Sequence, residues 1–272
     1  MSFSHSTALV TGASSGIGAA YADRLAARGH DLVVVARRRN RLESLADTIR
    51  RQHGRNVEIV TADLADDADL SRVEALVHET PNLTILANIA GLGALGSATM
   101  IDPMAIDGML KVNILALTRL SLSAARRFAP AKRGTIINIG SIVAMMPVPG
   151  AGGYSGSKSY VLNFSRSLQD ELDVFGVRVQ VVMPGPVRSE FFGDKPAPFP
   201  DALFMSAETL VDAALVALDQ DETITFPNLP DMAVWRCGGV AVWRQFEAAR
   251  GTFVKGVTQS GQVAERYVAN AV

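Results

Sequence analysis

Short, continuous apolar runs alternate along this chain with longer segments in which apolar residues return every third or fourth position. The runs, rich in β-branched residues, are Thr7–Val10, Asp31–Ala36, Val57–Thr61, Leu83–Ala87, Thr135–Ile139, Val177–Val182 and Thr223–Phe226. Strands apolar at successive positions are covered on both faces, as in a parallel sheet flanked by helices. The intervening segments predict helices from the glycine-rich stretch at Gly12 through Ala27, from Asn40, through Glu79, from Asp102 to Phe128, around Tyr154 to Phe175, and from Ser206 to Leu218. Asn40 with Glu43 has the spacing of a capping box at the start of the second helix. The pattern predicts an α/β fold, one doubly wound parallel sheet of about seven strands.

Composition narrows this picture. A chain of 272 residues with 48% hydrophobic and 19% charged residues suits a single large domain over residues 1–272. A net charge of −1 gives no electrostatic case for nucleic acid. The one cysteine, Cys237, read as a small buried hydrophobe, suits a reducing compartment. The four histidines, His5, His30, His53 and His78, have no metal-ligand spacing and are expected at the surface, so no metal is expected. Met1–His5 lacks the apolar core of a signal peptide, and no apolar run reaches the length of a membrane span. The expectation is a cytoplasmic protein.

Chemistry concentrates where strands end. After the first run comes Thr11-Gly12-Ala13-Ser14-Ser15-Gly16-Ile17-Gly18. Strand, glycine-rich turn and helix together suit a dinucleotide, because the backbone can approach a pyrophosphate and the helix start offers free N–H groups. The second run ends at Ala36, followed by Arg37, Arg38, Arg39, Asn40 and Arg41. An acidic residue there would bond the ribose 2′-hydroxyl of NAD, whereas arginine suits the 2′-phosphate of NADP. Cations at a helix start call for a compensating anion, so Arg37 is the candidate phosphate ligand, with a solvated basic cluster as the alternative. Tyr154 and Lys158, four apart, share a helix face, and an ammonium there would lower the phenol from its usual pKa of about 10 toward neutral proton exchange. Ser141, at the end of the preceding strand, could hold the same substrate oxygen. Asn113, inside an apolar helix, either bonds to backbone or water or belongs to a proton relay.

These motifs, in this order, resemble the classical short-chain dehydrogenase/reductase family over about residues 6–227, through the TGASSGIG turn, Asp63-Leu64, the NNAG-like segment at Asn88, Asn113, Ser141, Tyr154 with Lys158, and Pro184-Gly185. The resemblance implies a Rossmann-type sheet ordered 3-2-1-4-5-6-7. It implies Tyr154 as general acid/base, Lys158 on the nicotinamide ribose, Ser141 on the carbonyl and Asn113 holding a relay water. Gly12, Ser14, Ser15, Gly16, Ile17 and Gly18 would line the pyrophosphate and adenosine end, and Asp63 and Leu64 would meet the adenine. Asn88 and Gly91 would form the inner cofactor wall, and Pro184, Gly185, Val187 and Ser189 the nicotinamide side. Ile89 departs from the NNAG pattern, which puts local hydrogen bonding there in question.

The expected activity is an NADP(H)-dependent carbonyl reductase or alcohol dehydrogenase, with NAD(H) possible. Val143, Met145, Met146, Phe191 and Phe192 at the predicted mouth favour a lipophilic ketone or acyl substrate. A catalytically silent cofactor-binding sensor or scaffold is the alternative. Residues 190–206 are expected to be a substrate lid or an ordinary apolar loop. The extension over about 228–272, with Trp235, Cys237 and Trp243, is expected to pack on the subunit or a partner subunit. The resemblance suggests a homodimer or homotetramer.

Overall fold

The computed structural model describes residues 5–145, 148–192 and 203–228. Met146, the side chain of Phe192, most of the expected lid including Phe199, and the extension with Trp235, Cys237 and Trp243 lie outside the described residues.

The chain runs β1 (Thr7–Thr11), α1 (Gly16–Ala27), β2 (Asp31–Ala36), α2 (Arg39–His53), β3 (Val57–Thr61), α3 (Asp67–Glu79), β4 (Leu83–Asn88), α4 (Pro103–Leu110), a π-helical segment (Lys111–Ala116), α5 (Leu117–Ala131), β5 (Gly134–Ile139), α6 (Gly152–Asp173), β6 (Val177–Val182), α7 (Ala207–Asp219) and β7 (Ile224–Thr225). All seven strands are parallel, in the order β3-β2-β1-β4-β5-β6-β7. The expected topology is therefore the observed one.

Period-two alternation explains why the central strands carry apolar residues at successive positions. Ala8 and Val10 of β1 and Leu32 and Val34 of β2 join the core under α1, α2 and α7, while Leu9, Val33 and Val35 join the core under α3, α5 and α6. Chain direction across the sheet reverses between β1 and β4, so the crevice for a ligand opens at the carboxyl ends of these two neighbours.

Two local expectations fail for tertiary reasons. The capping box is not formed: α2 begins at Arg39 with Arg38 as its N-cap. Asn40 Oδ1 accepts from the next residue's N–H, and Glu43 pairs with Arg39 at 2.8 Å. The helix expected from Asp102 to Phe128 is interrupted by the π-helical segment. Asn113, in that segment, is tied through both side-chain atoms to the Leu92 backbone, Leu92 N–H donating to Oδ1 at 2.8 Å and Nδ2 donating to Leu92 O at 2.9 Å. One-residue insertions of this kind cluster at functional sites.

Nor are all the histidines superficial. His30 is half-buried against Ser6, and half-buried His53 bonds Asp23 at 2.8 Å, whereas His5 and His78 are exposed. Among the described residues no helix is long and apolar enough to cross a membrane.

Candidate active site

The glycine-rich turn follows β1 because its backbone must pass where side chains cannot. Gly12 has φ +68°, and a Cβ there would lie 2.8 Å from the Ala90 backbone, on the loop after β4. A Cβ on Gly18 would lie 2.2 Å from Gly12 O. Backbone thus packs on backbone across the switch point. Buried Thr11 completes the junction, its Oγ1 accepting from Ile89 N–H at 3.0 Å and Ala90 N–H at 3.1 Å. Thr11 is a positioning residue that sequence reasoning passed over; its place as the polar end of an apolar strand was the available clue. It also supplies bonds to the loop where Ile89 departs from the NNAG pattern.

At the start of α1, Ser15 makes no side-chain cap and the first turn holds no acidic residue. The helix N-terminus therefore keeps uncapped N–H groups and a positive dipole end, which fits the pyrophosphate of a dinucleotide. Ser14 and Ser15 turn their hydroxyls to a cation: Arg38 donates to Ser14 Oγ at 3.0 and 3.2 Å and to Ser15 Oγ at 2.7 Å. Arg38 and Arg41 both pair with Glu190, the former at 2.6 Å. Hydrogen bonds from Arg38 and then Arg41 hold the Glu190 carboxyl below the ordinary carboxylate range. Arg37, the expected phosphate ligand, points elsewhere, standing 3.9 Å from Asp63 with 61% of its side chain exposed. The residue at the serine-bearing turn is thus its neighbour, because successive side chains leaving a strand end face opposite ways.

Asp63 receives Ala65 N–H at 3.0 Å, and Leu64 is buried in the core. The Asn88 amide donates to Ser121 Oγ at 3.0 Å and Asn138 Oδ1 at 2.9 Å, so it braces β4 against β5 and α5. Gly91 does sit at the crevice: a Cβ there would lie 3.5 Å from Asn113 Oδ1 and 3.7 Å from Lys158 Nζ.

Tyr154 and Lys158 lie in the first two turns of α6, and Ser141 follows β5. The Ser141 hydroxyl donates to Pro184 O at 3.4 Å and accepts from Val143 N–H at 3.4 Å, and it acts to lower the Tyr154 phenol. The Lys158 ammonium stands 5.7 Å from the Tyr154 ring centroid and donates to Ile139 O at 2.8 Å. Burial dominates both titrations. It pushes the phenol up to about 12, only partly opposed by Ser141, and brings the lysine down to about 8. The expected lowering of the phenol by Lys158 is therefore not found, since the ammonium is spent on a backbone carbonyl. Asn113 also differs from a free relay group, because beyond Leu92 its Nδ2 donates to buried Ser157 Oγ at 3.2 Å.

The loop after β6 closes over these parts. Gly185 N–H donates to Asn228 Oδ1 at 2.9 Å, Val187 bridges Met205, and Ser189 packs on the turn, 3.3 Å from where a Gly16 Cβ would be. Phe191 lies over the tyrosine, ring centroids 5.3 Å apart. Val143 and Met145 pack toward an inner cluster with Ile142, Val161 and Met183.

Comparison with known proteins gives a consistent result. The short chain dehydrogenase family model matches residues 6–198. A very-long-chain 3-oxoacyl-CoA reductase of Anas platyrhynchos is 32% identical over 219 residues, 76% of this chain and 67% of that protein. A short-chain dehydrogenase from Sphingobium yanoikuyae, solved in complex with NADPH, is 40% identical with TM-score 0.81, over 89% of this chain and 95% of the other. The bulky-bulky ketone specific alcohol dehydrogenase from Comamonas testosteroni is 36% identical with TM-score 0.77, over 96% of each chain. For two curated relatives the match spans only 57% and 67% of the relative's own length. The strand order, the backbone-packed turn after β1 and the YxxxK pair at the head of α6 share one explanation: this chain belongs to the short-chain dehydrogenase family.

Proposed function

We propose that this protein is an NADP(H)-dependent oxidoreductase interconverting a bulky, lipophilic ketone and its secondary alcohol. One arrangement carries the proposal: the Tyr154 ring lies 5.7 Å from the Lys158 ammonium at the head of α6, with Ser141 at the end of β5 and the bare backbone of Gly91 beside that ammonium. When bound, the dinucleotide supplies or accepts the hydride. The chain's own groups handle the proton and the oxygen. Tyr154 donates its proton to the carbonyl oxygen in reduction and must accept one in oxidation. Ser141 orients that oxygen, while Lys158 is placed to meet ribose hydroxyls. Asn113, fixed on Leu92, holds the loop after β4 against the crevice.

The uncapped N-terminus of α1 fits the pyrophosphate, and Arg38 with Arg41, beside Ser14 and Ser15, fits a 2′-phosphate. The NADPH complex of the Sphingobium relative supports the same choice of cofactor. Apolar surroundings favour size in the substrate: Phe191 packs over Tyr154, and Ile106 and Met109 lie beside Gly153, the residue before that tyrosine. The ketone specificity named for the Comamonas relative agrees with it.

Exposed Leu115 and Leu122 flank Thr118 in the sequence, and Thr118 bonds Tyr160, which stacks on Phe164 at 5.6 Å. These exposed apolar side chains support a homo-oligomer, measurable by sedimentation. The single cysteine supports a reducing, cytoplasmic location.

The test is oxidation of NADPH and NADH across ketones, quinones, ketoacyl thioesters and steroids. NADPH consumption with bulky ketones is expected. Tight NADPH binding with no turnover on any of them would replace the enzyme with a silent cofactor-binding protein.

A further inference from the structure

Two arginines and two helix starts meet beside the glycine-rich turn. Arg38 is the N-cap of α2 and Arg41 lies in its first turn, which holds no acidic residue, while Arg39 turns away to Glu43. The start of α1, likewise without an acidic residue, stands alongside through Ser14 and Ser15. Such a concentration of positive charge at two helix N-termini requires an anion. The structure provides one from far along the sequence: both carboxylate oxygens of Glu190 are used, one by Arg38 and one by Arg41.

The next residue does something different. Phe191 packs its ring against the catalytic phenol, 5.3 Å between centroids. On its other side lies Gly93, where a Cβ would come within 2.5 Å of the Phe191 ring. Glu190 and Phe191 belong to one short 3-10 turn, Glu190–Phe192. A single turn therefore has its carboxylate on the arginines and its ring on the tyrosine, and moving the first moves the second.

Resting on the NADP(H) reading above, we propose that Glu190 stands in for the cofactor's 2′-phosphate, and that the phosphate, by displacing it from Arg38 and Arg41, withdraws Phe191 from Tyr154. Access of a substrate oxygen to the phenol is thereby tied to the phosphorylated dinucleotide. A dinucleotide with a bare 2′-hydroxyl leaves the arginines to Glu190 and the ring in place. Glu190 is then a specificity-determining residue that acts by competition, selecting against NAD(H) through the substrate pocket as well as through affinity.

The experiment uses 2′,5′-ADP and 5′-AMP as probes on the full chain, wild type and Glu190→Gln, by titration calorimetry. Removing an exposed carboxylate that competes for two arginines is expected to tighten 2′,5′-ADP by about tenfold and to leave 5′-AMP within about twofold. In the wild type, amide exchange over 190–192 is expected to rise with 2′,5′-ADP and not with 5′-AMP. Equal 2′,5′-ADP affinities for the two proteins, or weaker binding by Glu190→Gln, overturn the stand-in role. Tighter binding without the rise in exchange overturns the link to Tyr154. NADPH titrated into both proteins separates the two proposals: wild type that binds NADPH while Glu190→Gln changes nothing removes the gate alone, whereas no NADPH binding to either removes the cofactor reading with it.

Discussion

The Lys158 ammonium gives its hydrogen bond to the Ile139 carbonyl, 2.8 Å away, while the Tyr154 ring centroid lies 5.7 Å from it. Desolvation acts on both groups, pushing the phenol of half-buried Tyr154 up and the ammonium of buried Lys158 down. Such a site holds a transferable proton on the phenol and keeps a cation in reserve under the crevice floor.

That burial has a stability consequence. Lys158 falls from 10.5 to about 8 on folding, so the unfolded chain binds more protons between those values and stability rises with pH across that window. Below it the full cost of the buried ammonium is present. Lys158→Met is expected to be more stable than wild type at neutral pH by on the order of 1–3 kcal/mol, after the lost Ile139 bond, while losing turnover. Urea titrations should show this advantage shrinking as pH rises from about 8 to 10.5. A variant less stable at neutral pH would mean that the bond to Ile139 outweighs the desolvation.

With Tyr154 as the proposed proton donor, its titration sets the pH dependence expected of the chemistry. With the phenol pushed up to about 12, the donor form persists throughout the neutral range. Carbonyl reduction is expected to keep a flat kcat/KM between about pH 6 and pH 8, whereas alcohol oxidation, which needs the phenolate, gains about tenfold per pH unit. Tyr154→Phe should lower kcat by about 10²–10⁴-fold and leave NADPH affinity within about twofold. Retained turnover would take the acid/base role from Tyr154.

The strands were legible because a run such as Asp31–Ala36, buried at every position, has few places to go except the middle of a covered parallel sheet, whereas their order was implied by the family resemblance. The turn after β1 was legible for a similar reason, since Gly12 and Gly18 answer to contacts within a short stretch of backbone and to the loop it crosses. What escaped depends on partners distant in sequence. Asn40 and Glu43 have capping spacing, but α2 starts earlier because its N-cap, Arg38, is held by Ser14, Ser15 and Glu190. Asn113 was visible as an odd residue in an apolar helix, yet the π-helical segment around it answers to the Leu92 backbone. Spacing reports that a lysine is near Tyr154, not that this lysine donates to the Ile139 carbonyl.

Arg38 and Arg37 make unequal contributions to cofactor choice if the serine-bearing turn is where the 2′-phosphate lies. A charged hydrogen bond is worth about 1.5–3 kcal/mol, so Arg38→Ala is expected to weaken NADPH by about tenfold to a hundredfold while changing NADH only a few-fold. Arg37→Ala, which loses an exposed 3.9 Å pairing with Asp63, should have the smaller effect on NADPH. Fluorescence titration with both dinucleotides distinguishes them. Equal effects of the two substitutions would return the phosphate to Arg37.

Two glycine substitutions separate the folding role of bare backbone from its role at the crevice. In Gly18→Ala the new methyl falls 2.2 Å from Gly12 O, a backbone atom of a turn already pinned against Ala90. Nothing nearby can yield, so the variant should lose about 3 kcal/mol or more and melt well below wild type. In Gly91→Ala the methyl meets Asn113 Oδ1 at 3.5 Å and Lys158 Nζ at 3.7 Å, ordinary contact distances, so the fold should hold with little change in Tm. That methyl nonetheless enters the space above Lys158 where the cofactor ribose is proposed to lie, and NADPH affinity should fall by about tenfold or more. Thermal melts paired with NADPH titration read both effects. A Gly91→Ala protein that melts like wild type and binds NADPH equally well would move the cofactor away from Lys158.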